Sequence, residues 1–207
     1  MITLIGQYDS PFVRRVAIAL RLYGLPFEHR PWSVFGDAEK IRPLNPLVRV
    51  PTLILPDGAV LTDSHLILDW LDAQVHRPLA PRTEPERHRV LWIVALATGL
   101  ADKAVSLFYE RRLHDVTSAV WTARCEGQIG GVLAALEADR AARTGPWWFG
   151  DHIGHADIAV ACALRFASEA HPGLIDWDSL PALARHCAAA EALDVFREIY
   201  QPFNAPA

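Results

Sequence analysis

The chain has 207 residues, 51% hydrophobic and 21% charged, with 20 Lys and Arg against 24 Asp and Glu, a net charge of -4. That length allows one large or two small domains with a sizeable core, and the composition excludes a disordered chain. The mild acidity excludes a generally basic nucleic-acid binder.

Ile2 to Gly6 is a short apolar run that reads as a buried strand. In Asp9-Ser10-Pro11, Ser10 is a good helix N-cap and Pro11 suits the first helical position. Val13, Val16, Ala17 and Leu20 then fall on one helix face, and Gly24 and Pro26 close the helix. Phe27 to Trp32 predicts a second strand, at an edge because Pro31 cannot donate to a ladder. Asp37 to Arg42 fits a short helix stopped by Pro43. Thr52 to Leu55 and Ala59 to Thr62 flank the turn Pro56-Asp57-Gly58 and read as a hairpin. Asp63 opens a helix that buries Leu66, Ile67, Trp70 and Leu71. The first part of the chain is therefore β-α-β-α-β-β-α.

Past residue 76 only helical periodicity remains. Pro78, Pro81 and Pro85 mark a linker. Helices are expected over about 86–112, 118–142, 154–167 and 180–190, with a short one inside 193–203. The first contains Val90 to Ala101, the longest charge-free apolar run, closed by Arg89 and Asp102. A bilayer span needs about 18 or more apolar residues, so this is a core helix and no membrane partner is expected. At Gly154 the third of these helices lacks a capping side chain, but Asp157 is placed to reach back to the Gly154 amide. No export signal is visible at the N-terminus. Cys125, Cys162 and Cys187 are dispersed, with no CxxC, and read as free thiols of a reducing cytoplasm. The nine histidines form no metal-ligand pattern: His152-x-x-His155 straddles a turn and HExxH is absent. No metal is expected.

Four segments, in register along the whole chain, resemble the cytosolic glutathione transferase family. They are Ser10-Pro11-Phe12-Val13-Arg14-Arg15-Val16, Asn45-Pro46 through Val50-Pro51-Thr52-Leu53, Thr62-Asp63-Ser64 with Ile67 and Leu71, and Gly150-Asp151 with Ala156-Asp157-Ile158. The resemblance implies an α/β thioredoxin-like N-terminal domain, βαβαββα, over 1–76. A linker at 77–85 and an all-α helical-bundle domain over 86–207, contributing the electrophile site, would follow. It implies glutathione as co-substrate, with no permanently bound cofactor, a small hydrophobic electrophile as second substrate, and a homodimer.

Glutathione carries a thiol, and a thiol of pKa about 8.5 is only a few per cent ionised at pH 7 although the thiolate is the nucleophile. Ser10, in the position of the Ser-type members, could donate its hydroxyl to that sulfur at the positive end of the first helix. Tyr8 is the runner-up hydroxyl, since other branches use a Tyr near this point. No cysteine lies near position 10, which argues against reductase chemistry that needs a protein thiol. The resemblance makes Val50, before a cis Pro51, a backbone partner of the glutathione cysteine. It makes Asp63 and Ser64 partners of the γ-glutamyl end, where a helix mouth suits an anion. Arg49 and Lys40 are candidates for the glycine carboxylate, and Asp102 for a partner subunit's glutathione amine. Phe12, Phe35, Phe108, Trp121 and Trp177 are candidates for the electrophile site. The function expected is transfer of glutathione to a small apolar electrophile. Its alternatives are a non-catalytic glutathione-binding scaffold and a glutathione-dependent isomerase.

Overall fold

The computed structural model describes residues 1–205, and the chain forms two compact units. One comprises Met1–Ala80 with the segment from Leu193 onward, the other Pro81–Ala192.

In the first unit a four-stranded sheet has the order β2-β1-β3-β4, with β1 Ile2–Ile5, β2 Phe27–Arg30, β3 Thr52–Ile54 and β4 Val60–Thr62. β1 is flanked on both sides and all four of its residues are buried, which is why it reads as continuous apolar sequence rather than alternation. β2 runs parallel to β1 with Ile2 opposite Phe27, and stops two residues short of the predicted end because the chain meets Pro31. β3 and β4 form the predicted antiparallel hairpin, and β3 runs antiparallel to β1. The helices are α1 Pro11–Leu22, α2 Ala38–Ile41 and α3 Ser64–Ala73. This is a thioredoxin-like arrangement.

α1 is buried well beyond its predicted face: Arg14 and Arg15 are buried as well. A buried guanidinium needs acceptors. Arg14 finds them in a distant segment, donating from Nε to Ile199 O (2.9 Å) and from Nη2 to Phe196 O (3.0 Å), with its guanidinium over the Phe196 ring. These carbonyls belong to the last turn around α8, Asp194–Glu198. The predicted helical domain thus cedes the segment from Leu193 to the first unit, and the division falls after Ala80, inside the Pro-rich stretch. Tyr23 secures the other end of α1, donating to Asp72 on α3 and accepting from Leu79 N–H.

The second unit is all helical: α4 Glu86–Leu113, α5 Ala119–Ala141, α6 His155–Ala170, a 3-10 turn Trp177–Ser179, and α7 Pro181–Glu191. Small side chains on α6 let its neighbours approach closely, and it is buried on nearly every side. α4 is the one helix among the described residues long and apolar enough to cross a bilayer, and half of that stretch is buried inside the unit. Its buried side is Val90, Ile93, Val94, Ala97, Leu100, Ala101, Ala104 and Leu107.

The mouth of α6 is closed as predicted. Asp157 Oδ2 accepts from Gly154 N–H (2.8 Å) and Oδ1 from Trp148 N–H (2.7 Å). His186 of α7 packs edge-on to Trp148, and its Nε2 lies 3.7 Å from Asp157 Oδ1. Burial pushes the Asp157 carboxyl up to about 6 and the His186 imidazole down to about 4.

Candidate functional site

Three chain segments converge at Gly6, where β1 ends. Its φ is +127°, and a Cβ there would stand 2.5 Å from Val13 Cγ2 and 2.8 Å from Val50 Cβ. Only glycine fits. The first turn of α1 and the Val50-Pro51 segment therefore meet at one point, at the C-terminal end of the central strand.

Ser10 is the N-cap of α1. Its Oγ accepts from Val13 N–H at 3.4 Å, long for such a bond, and its own O–H remains a donor. The first turn of α1 holds no acidic residue to neutralise the helix end. Tyr8 lies in the same approach loop. Its ring stacks on His29 of β2 (3.9 Å, 4°) and its N–H donates to Gln201 Oε1. Burial raises the phenol to about 12, and the charges acting on it are Arg21 and Glu198. Asp9, next to Ser10, is partly buried and accepts from Asn204 N–H.

The peptide bond Val50-Pro51 is cis, as the resemblance implied. Asn45 shapes its loop: buried, it donates from Nδ2 to Arg49 O (2.9 Å) and Thr52 Oγ1 (3.2 Å), while its Oδ1 accepts from Leu47 N–H. Val48 within the loop has φ +50°.

At the mouth of α3, Asp63 has φ +70° and its carboxylate accepts from His65 N–H (2.8 Å). It caps its own helix and takes up one of the free amides. Ser64 is buried, and its Oγ accepts from Arg15 Nη1 (3.4 Å). Val48 and Asp63 are the two non-glycine residues with positive φ among the described residues. Each such conformation costs about 1–3 kcal/mol, and such strain gathers at ligand sites. Both fall in segments that the resemblance assigns to glutathione.

The other predicted residues are less closely grouped. Lys40 is exposed, paired with Asp37 (2.6 Å) and over the Trp32 ring. Arg49 is exposed, and its carbonyl accepts from Asn45 Nδ2 and Thr52 Oγ1 in the loop. Phe12 is half-buried in the first turn of α1, and Phe35 is exposed before α2. In the helical unit Phe108 packs against Tyr109 and His171, Trp121 lies under Lys103, and Asp102 is exposed on α4. Trp177 lines a cavity formed with α6 and α7. Among the described residues no group of three His, Cys, Asp or Glu is placed to hold a metal.

Gly6, Arg15 and Asn45 carry this geometry, and the sequence reading gave them no site role. Gly6 ends a strand, and Arg14-Arg15 interrupts an apolar helix; those were the available signals.

Residues 4–79 match the family model for the glutathione S-transferase N-terminal domain, and residues 119–189 match that for its C-terminal domain. The uncharacterized GST-like protein YibF of Escherichia coli is 32% identical over 168 residues, covering 79% of this chain and 80% of YibF. A maleylacetoacetate isomerase of Pseudomonas aeruginosa is 29% identical over 214 residues, covering 98% and 97%. A glutathione S-transferase of Methylobacterium radiotolerans, solved in complex with glutathione sulfonate, superposes with a TM-score of 0.90 at 31% identity, covering 100% of this chain and 99% of that one. Both halves match in order, and full-length relatives share the fold and about a third of the sequence. The chain belongs to the glutathione S-transferase family.

Proposed function

We propose that the first unit binds glutathione and activates its thiol at Ser10 for attack on a small apolar electrophile. The observation that carries this reading is the convergence at Gly6. Gly6 meets the side chains of Val50 and of Val13, in the first turn of the helix that Ser10 caps, and that turn holds no acidic residue. A thiolate at that mouth would accept from the Ser10 hydroxyl and lie at the positive end of α1. Each unit by which the thiol pKa falls corresponds to about 1.4 kcal/mol of preference for S⁻. The Val50 N–H and C=O are the proposed partners of the glutathione cysteine backbone. Ser64, braced by Arg15, is the proposed partner of the γ-glutamyl carboxylate. Ser64 and Ser10 both hang on α1, five residues apart from Arg15 to Ser10, about 7.5 Å along its axis. Lys40 and Arg49 are proposed for the glycine carboxylate, and Phe12 and Phe35 for the apolar substrate. The glutathione sulfonate held by the solved relative supports the choice of ligand.

The test is Ser10→Ala beside Tyr8→Phe. Ser10→Ala lowers turnover of a model electrophile by about ten-fold or more while glutathione affinity stays within a few-fold. Ser10→Thr, which keeps a hydroxyl and a cap, retains most of the rate. A loss of rate in Tyr8→Phe with Ser10→Ala unaffected would reverse the assignment.

The end-to-end similarity to a maleylacetoacetate isomerase favours one second reading, in which glutathione returns unchanged. Net glutathione consumption per turnover separates the two. We further place the protein in the cytoplasm, where three free cysteines remain reduced. A homodimer is the proposed assembly, consistent with the exposed Leu91 and Trp92 on α4.

A further inference from the structure

Trp177, an aromatic for which the first unit provides no role, stands at the edge of a cavity of about 410 Å³ between α6 and α7. That volume lies within the range of small-molecule sites. Its walls include Ala161 of α6 and Ala188 of α7. Across it Arg165 pairs with Glu169 (2.8 Å) and Glu191 (3.4 Å), so one guanidinium against two carboxylates leaves the lining one charge negative. Cys187 also lines it, and burial, with Glu191 nearby, raises its thiol, so this wall stays uncharged at neutral pH.

Two polar groups here are unused. Ser168 Oγ is buried with no hydrogen-bond partner among the described residues. Neither the Trp177 ring nor its indole N–H meets a ring or hydrogen-bond partner among them. A buried hydroxyl without a partner is costly, and an aromatic face beside excess negative charge is a cation acceptor.

We propose that this cavity is a second small-molecule site that takes an aromatic ammonium ion. The ring lies against Trp177 and the alanines, and the ammonium sits toward Glu191 and Glu169. Glutathione, an anion at neutral pH, has the wrong sign for this site, so the two units select ligands of opposite charge. The inference stands on the helical unit alone and does not depend on the function proposed above.

Calorimetric titration of the whole chain tests it, with 1-naphthylmethylammonium and 1-naphthoate as probes and S-hexylglutathione present throughout to occupy the thiol site. The expected result is binding of the ammonium at about 1 mM or tighter, with naphthoate about tenfold weaker or more. Trp177→Ala and Glu191→Gln each weaken the ammonium about fivefold. Glu169→Gln with Glu191→Gln leaves Arg165 as the one charge in the lining and reverses the preference toward naphthoate. The Gln variants keep side-chain shape, so they decide the matter even if Trp177→Ala fails to fold. No binding of the ammonium, equal binding of the two probes, or wild-type affinity in the Gln variants overturns the proposal.

Discussion

Two helix mouths in this protein are built in opposite ways. At α6 the N-cap is a glycine, and a buried carboxylate does the capping, with Asp157 taking the amides of Gly154 and Trp148 at 2.8 and 2.7 Å. At α1 the cap is a half-exposed serine, its bond to Val13 N–H is 3.4 Å long, and no acid occupies the first turn. At the first mouth a carboxylate of the chain itself sits in the first turn and takes the cap amide. The second keeps a hydroxyl donor and has no acidic residue in its first turn. An acid in the first turn marks a structural cap, and an accessible mouth without one marks a candidate site. α3 is intermediate, since Asp63 takes one amide while Ser64 remains beside Arg15.

Substitutions can break this contrast, and the largest effect is expected where the segments of the open mouth meet. Gly6→Ala puts a methyl group 2.5 Å from Val13 Cγ2 at φ +127°. Overpacking and backbone strain together cost about 3 kcal/mol or more. Urea unfolding of the full chain reads this loss, and a stability within 1 kcal/mol of the parent (about the weight of a single cap) would show that the three segments do not press together.

The closed mouth is sharpened by pH. Asp157, at about 6 in the folded chain, stands above an unfolded carboxyl at about 4. Its stabilisation is full below pH about 4 and is lost as pH rises through about 6. His186, at about 4, stands below an unfolded imidazole at about 6.5. Its stabilisation is full above pH about 6.5 and is lost as pH falls through about 4. The two oppose each other in between. Relative to the parent, Asp157→Asn therefore gains stability from pH 4 to 6, and His186→Phe loses it over the same window, each by about 2–3 kcal/mol. Arg140, which donates to His186 Nδ1 (3.3 Å), is the charged neighbour. Unfolding curves with the same sign of pH slope in both variants would refute the pairing.

Ser64→Ala is expected to weaken glutathione binding about five- to tenfold, measured by calorimetry, through loss of one hydrogen bond at the α3 mouth. The smallest stability effect belongs to Ser10→Ala. Removing this long cap bond costs at most about 1 kcal/mol in thermal unfolding, well below the effect on rate. A larger stability loss than that of Asp157→Ala would erase the distinction between the two mouths.

Much of the first unit was legible because its signals are local. Ser10-Pro11, Gly24, Pro31 and the Pro56-Asp57-Gly58 turn each act on the backbone within a few residues. The strands and helices between them appear with boundaries off by one to three residues. The reach of Asp157 back to Gly154 was legible for the same reason. The grouping at the candidate site was less so. Ser10, Val50 and Ser64 could be singled out only through resemblance, since nothing local marks Gly6 as the point where α1 and the Val50 loop touch. Lys40 and Arg49 point to the same shortfall: a surface cation carries no local sign of whether it faces a ligand or, like Lys40, an aspartate.

The amino-acid sequence by itself determined the element order, the helix starts and the change from mixed to all-helical structure, because capping, turns and periodicity act over a handful of residues. Tertiary structure alone decided that Arg14 draws the C-terminal segment to the first unit, that Asp63 turns onto its own helix, and that Trp177 lines a cavity of the helical unit. A buried guanidinium, a strained φ and an unfilled cavity are each set by partners far away along the chain, and no short stretch of sequence records which partner arrives.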